Sequence, residues 1–64
     1  MNLVDAYVTK VLGHEEKDWG KGPVLLVEVE YDSYGRMDTQ KLVFTGEDRE
    51  ARANAVNVGY HFLT

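Results

Sequence analysis

The chain has no cysteine, one proline and one tryptophan in 64 residues. Without cysteine there is no disulfide framework, no thiolate metal site and no thiol nucleophile. Long hydrophobic runs are also missing. The longest, Val24-Leu25-Leu26-Val27, is far too short to cross a bilayer. The N-terminus lacks the basic patch and apolar core of a secretory signal, because Asp5 interrupts it almost at once. Basic residues are the minority, 7 Lys+Arg against 11 Asp+Glu for a net charge of −4. This balance disfavours a phosphate-binding surface. The expectation is one soluble, cytoplasmic domain, a complete small reading frame with no membrane attachment. So short a chain has a thin margin of stability, which an efficiently closed barrel or association with a partner would widen.

What is present is mostly β-strand pattern. From about Leu3 to Leu12, Val4, Ala6, Val8 and Leu12 alternate with Asp5, Tyr7 and Thr9, the period of a half-buried strand. Only Lys10 breaks the apolar side. Gly13 to Pro23 gathers glycines, the proline and charges around Trp19, which predicts a long loop. A second strand is expected over Val24–Asp32, and a hairpin turn at Asp32-Ser33-Tyr34-Gly35 leads to a third over Met37–Thr45. A bulged turn closed by Asp32 and Arg36 opposes Val29 to Thr39, Val27 to Lys41 and Leu25 to Val43. On the other face it sets Glu30 against Asp38 and Leu26 against Leu42. That second face is polar near the turn and apolar at the far end, as in a strongly bent hairpin of a small barrel.

Thr45-Gly46-Glu47-Asp48 has the spacing of a helix capping box. A short helix is expected over Glu47–Ala55, with an Asp48/Arg52 pair and Ala51 and Ala55 as its apolar stripe. Val56, Val58, Tyr60 and Phe62 then share one face of a last strand, Val56–Leu63, with Gly59 marking a bulge or close approach. This order, with the Val58-Gly59 entry to the last strand, resembles the SH3-like small barrel. The fold class expected is therefore mainly β: a small SH3-like barrel, or a strongly bent antiparallel sheet of four or five strands, with one short helix before the last strand.

Catalytic equipment is sparse. His14, Glu15, Glu16 and Asp18, joined by His61, are metal-ligating types, but neither the calcium-loop nor the HExxH pattern is present. They fit a solvated loop tip better, and no cofactor or metal is expected. Ser33 is the lone serine and has a role in the turn. Gly20-Lys21-Gly22 lacks the frame of a phosphate loop. No enzyme is expected.

Three binding readings remain. In the first, Trp19 and Tyr34, predicted in loops, and the acids Glu28, Glu30 and Asp38 near the hairpin tip form a protein-binding surface. Chain length, acidity and the lack of catalytic groups are similar to small accessory proteins of bacteriophages. That resemblance implies a modulator or inhibitor of a bacterial host protein such as RNA polymerase, a nuclease or a defence complex. In the second, Lys17, Lys21, Arg36 and Lys41 with aromatics such as Tyr7 and Tyr60 bind single-stranded nucleic acid. In the third, the edges of the first or last strand join copies of the chain into a homodimer.

Overall fold

The structure, a computed structural model, describes residues 3–18, 20 and 22–64. Its elements are β1 (Asp5–Asp18), β2 (Pro23–Ser33), β3 (Arg36–Phe44), α1 (Arg49–Asn54) and β4 (His61–Leu63). The strands form one antiparallel sheet in the order β3-β2-β1-β4. The sheet curls into a half-barrel. The expected bent sheet is present, and it is open between β3 and β4.

The curl has a local cause. β1 carries two irregularities against β2, between Val8 and Lys10 and between Val11 and Gly13. Each extra residue bends the strand and increases its twist. The first also explains Lys10. Val8 opposes Tyr31 on the inner face, and the bulge at Thr9 lets Lys10 oppose Glu30 on the outer face. Leu12, expected on the apolar side, falls in the second bulge and is exposed. Val11 packs against the core instead.

β1 continues through His14–Asp18, which pairs with Pro23–Val27. Most of the segment expected as a long loop is therefore strand. Its residues are exposed, so no apolar alternation marks them, and backbone pairing carries the extension. Trp19 and Lys21 lie outside the described residues.

The central hairpin turns on Tyr34 and Gly35, both with positive φ, 53° and 84°. This is the two-residue turn whose twist matches paired strands. The Gly35 N–H donates to Asp32 Oδ1 at 2.8 Å. Ser33, not Asp32, is opposite Arg36, so the expected register moves by one residue. Such a slip exchanges the faces of a strand. Leu42 now opposes Val27 and Phe44 opposes Leu25, while Lys41 opposes Glu28. The expected register would have put Lys41 in the core opposite Val27. The observed one buries Phe44 and turns Lys41 outward.

The inner face holds a core of Val8, Val27, Val29, Phe44, Ala53 and Val56. α1 packs on β2 and β3. The helix starts at Arg49 with Asp48 as N-cap, and no side chain caps it. Gly46, at φ 95°, and a hydrogen bond from the Arg49 N–H to the Gly46 carbonyl (3.3 Å) shape its entry instead of the expected capping box. Ala53 faces the core, while Ala51 and Ala55 are exposed. Asp48 and Arg52 do pair, at 3.8 Å. Arg52 also lies 5.5 Å from the centre of the Phe44 ring, a cation–π contact that covers the core's edge.

The last strand is shorter than expected. The Tyr60 N–H bonds to the Asn57 carbonyl (2.9 Å), and Gly59 has φ 93°. This turn buries Val56, exposes Val58 and delivers Tyr60 and Phe62 to the core. Beyond Leu63 the ladder extends to a reciprocal backbone pair between Val4 and Thr64. The Thr64 hydroxyl donates to Gln40 Oε1 on β3 at 3.0 Å, and the Phe62 ring meets Tyr31 edge-on at 5.1 Å.

Two changes test this description by urea denaturation. Val29→Ala, at a fully buried site, is expected to cost about 2 kcal/mol from lost burial and the cavity left behind. Gly35→Ala meets no steric neighbour, yet is expected to cost about 1 kcal/mol through its positive φ.

Candidate interaction face

The outer face of the half-barrel, opposite the helix, carries the exposed side chains of chemical interest. Glu28 lies there between Gly13 and Lys41, and Glu30 between Lys10 and Thr39. Asp38 has the opposite parity. It faces Tyr31 on the inner side and accepts the Thr39 N–H at 2.8 Å. The expected pairing of Glu30 with Asp38 is therefore absent, and the three acids do not share a face. The register that placed Phe44 in the core separated them.

The lysines of this face are interleaved with acids. Glu15 reaches both Lys17 and Lys41, each at 3.8 Å. The second pair joins β1 to β3, so its side chains pass over β2. Beneath them lies Leu26, which is buried although it faces outward. The aliphatic stems of the pair supply its cover. Around this point is a cavity of about 200 Å³ lined by Gly13, His14, Glu15, Leu26, Glu28 and Lys41. Arg36 stands at the end of the hairpin, in the pair that closes it.

The strand extension also disperses the acid-histidine run. His14 and Glu16 oppose Val27 and Leu25, whereas Glu15 opposes Leu26, so neighbours point to opposite faces. Asp18 Oδ1 accepts the Gly20 N–H at 2.8 Å. Among the described residues no group of three His, Asp or Glu side chains is placed to hold a metal. A second cleft, about 530 Å³, lies between Gly22–Val24 and Thr45–Arg49. The one cation among its described lining residues, Arg49, donates from Nη1 to the Gly46 carbonyl at 3.0 Å. No helix among the described residues is long and apolar enough to cross a membrane.

A different group assembles where β1 meets β4. His61 Nε2 and Asp5 Oδ1 are 2.6 Å apart. The Tyr34 hydroxyl reaches Asp5 Oδ2 at 3.5 Å. The Tyr7 ring lies 5.2 Å from that of His61, centre to centre. Leu63 opposes Asp5 in the ladder, and Ser33 Oγ donates to the Asp5 carbonyl at 3.0 Å. Tyr34, Asp5, His61 and Tyr7 thus form one exposed array with Leu63 at its border. The sequence marks Tyr34 and Tyr7 as exposed aromatics. It gives no sign of the Asp5–His61 contact, which joins residues far apart in the chain. The array lies outside both cavities, on the outer side of a curled sheet.

Comparison with protein-family models, curated proteins and solved structures finds no match for this chain.

The Glu15 pairs are exposed on both sides. Glu15→Ala is therefore expected to lower stability by less than about 1 kcal/mol, read from the midpoint of urea unfolding.

Proposed function

We propose that the chain is a non-enzymatic protein-binding module that engages its partner through Tyr34, Tyr7, His61 and Leu63. The observation that carries this reading is Tyr34. It is 80% exposed and is the one non-glycine residue with positive φ among those described. A side chain in this conformation costs roughly 1–2 kcal/mol, and asparagine or glycine would relieve most of that. Exposure leaves Tyr34 little packing to offset the cost. Strain at an exposed aromatic points to a use outside the fold. Tyrosines dominate binding hot spots because they offer a large rigid surface and a polar tip. In the fuller form of the proposal the partner is a bacterial protein whose activity the module modulates, in keeping with the resemblance to small phage accessory proteins.

Nucleic acid is less well supported, since Lys17 and Lys41 both engage Glu15. Capture from bacterial lysate, with and without nuclease, is expected to retain one stoichiometric protein in both arms. Tyr34→Asn separates function from structure. It is expected to raise stability by about 0.5–1 kcal/mol. It is also expected to weaken the captured complex by about 2 kcal/mol, roughly thirtyfold. Recovery lost on nuclease treatment, or a Tyr34→Asn variant that binds normally, overturns the proposal.

A further inference from the structure

The longest unpaired backbone edge without a register shift among the described residues belongs to β3. Its nine residues pair with β2 from Arg36 to Phe44 without a register shift, in contrast to the twice-bulged β1. The tight turn makes Ser33 and Arg36 a hydrogen-bonded pair, so alternate residues from Arg36 bond to β2. The backbone groups of Met37, Thr39, Lys41 and Val43 then point away from the sheet. The Thr39 N–H agrees with this parity: it donates to the neighbouring Asp38 carboxylate at 2.8 Å. Such edges are usually blunted by proline, a bulge, charged side chains or a covering element, and of the outward-bonding residues here only Lys41 is charged. β3 has no proline and no bulge, and it ends the strand order.

The side chains of this edge are self-complementary about one residue. Pairing two copies antiparallel in one continuous sheet places a residue opposite itself, with residues equidistant from it opposed. Centred on Thr39, the pairing sets Met37 against Lys41 and leaves Val43 at the turn. Centred on Lys41, it opposes two ammonium groups. Centred on Gln40, it sets Met37 against Val43 and Thr39 against Lys41, each twice, and all four belong to the outward-bonding set. Met37 and Val43 are 53% and 48% exposed, and they are the exposed large hydrophobics of β3. No like charges are opposed in this register.

We infer that the outer edge of β3 pairs with β3 of a second copy, antiparallel about Gln40, to give an eight-stranded sheet across a homodimer. Each Thr39 N–H exchanges the Asp38 carboxylate for the Lys41 carbonyl of the second copy. The sequence-based expectation placed self-association on the first or last strand. β1 pairs with β4 only over Asp5–Tyr7, but the free edge beyond is interrupted by two register shifts, and β4 offers three residues, so the straight edge that fits a second copy is β3. This surface shares no residue with the Tyr34 face, so either reading can fail without the other.

The test is sedimentation equilibrium over a concentration series, with circular dichroism confirming that each variant folds. The full chain is expected to show a reversible monomer–dimer equilibrium. Met37→Lys and Val43→Glu are each expected to raise the dissociation constant about tenfold or more, because each opposes a charge to an apolar side chain. The double variant sets lysine against glutamate twice, and its dissociation constant is expected to return toward that of the parent. Asp38→Ala is expected to tighten the dimer by freeing the Thr39 N–H. A strictly monomeric chain overturns the inference. So does a dimer indifferent to the single changes, or one that the double change fails to restore.

Discussion

A two-residue turn at Tyr34-Gly35 decides which side of the molecule each residue of β3 faces. Because side chains alternate strictly along a strand, the closing pair fixes all the others. With Ser33 opposite Arg36, Leu42 and Phe44 join Val27 and Leu25 beneath the helix, and Lys41 reaches across the outer face toward Glu15. One residue's displacement would bury a lysine and expose a phenylalanine. The core, the outer ion pairs and the Arg52–Phe44 contact all depend on that turn. Its cost is the left-handed backbone of Tyr34.

The second constraint is the bending of β1. A straight sheet of four strands would give the core one flat layer and one very short helix, too little cover for the valines of β2. The bulges around Thr9 and Leu12 bring β4 round, so that Phe62 meets Tyr31 and Thr64 meets Gln40. The curl that closes the inner face also gathers Asp5, Tyr7 and His61 on the outer one. Core and candidate interface are two sides of the same few residue pairs.

Much of the fold was legible in the sequence. The valine alternation of β2, the hairpin position, the short helix and the order of elements are local signals, and local signals survive into the structure. Three features were not. The polar stretch His14–Asp18 forms strand through backbone pairing, which leaves no hydrophobic period to detect. The hairpin register hinges on tyrosine adopting a conformation it disfavours, so residue preference pointed to the longer, bulged turn. The capping box had the right spacing, but Gly46 turned the chain before Thr45 was in place to cap. For the candidate face, exposure of Tyr34 could be read from its loop setting. The Asp5–His61 contact could not, because it depends on the first and last strands lying side by side.

That adjacency of chain ends also bears on how the protein is made. Val4 bonds to Thr64, and the start of β1 is held between β2 and residues 59–64. The hairpin of β2 and β3 closes a far shorter loop and can form early, whereas the β1–β4 ladder closes almost all of residues 5–63 into a loop. During synthesis, β1 emerges first and waits longest for its second neighbour. Until His61–Thr64 leave the ribosome, the edge of β1 at Asp5–Tyr7 stays open and Phe62 is missing from the core. Completion of the sheet therefore waits for His61–Thr64, and without them the start of β1 and the outer edge of β3 both lack a neighbour.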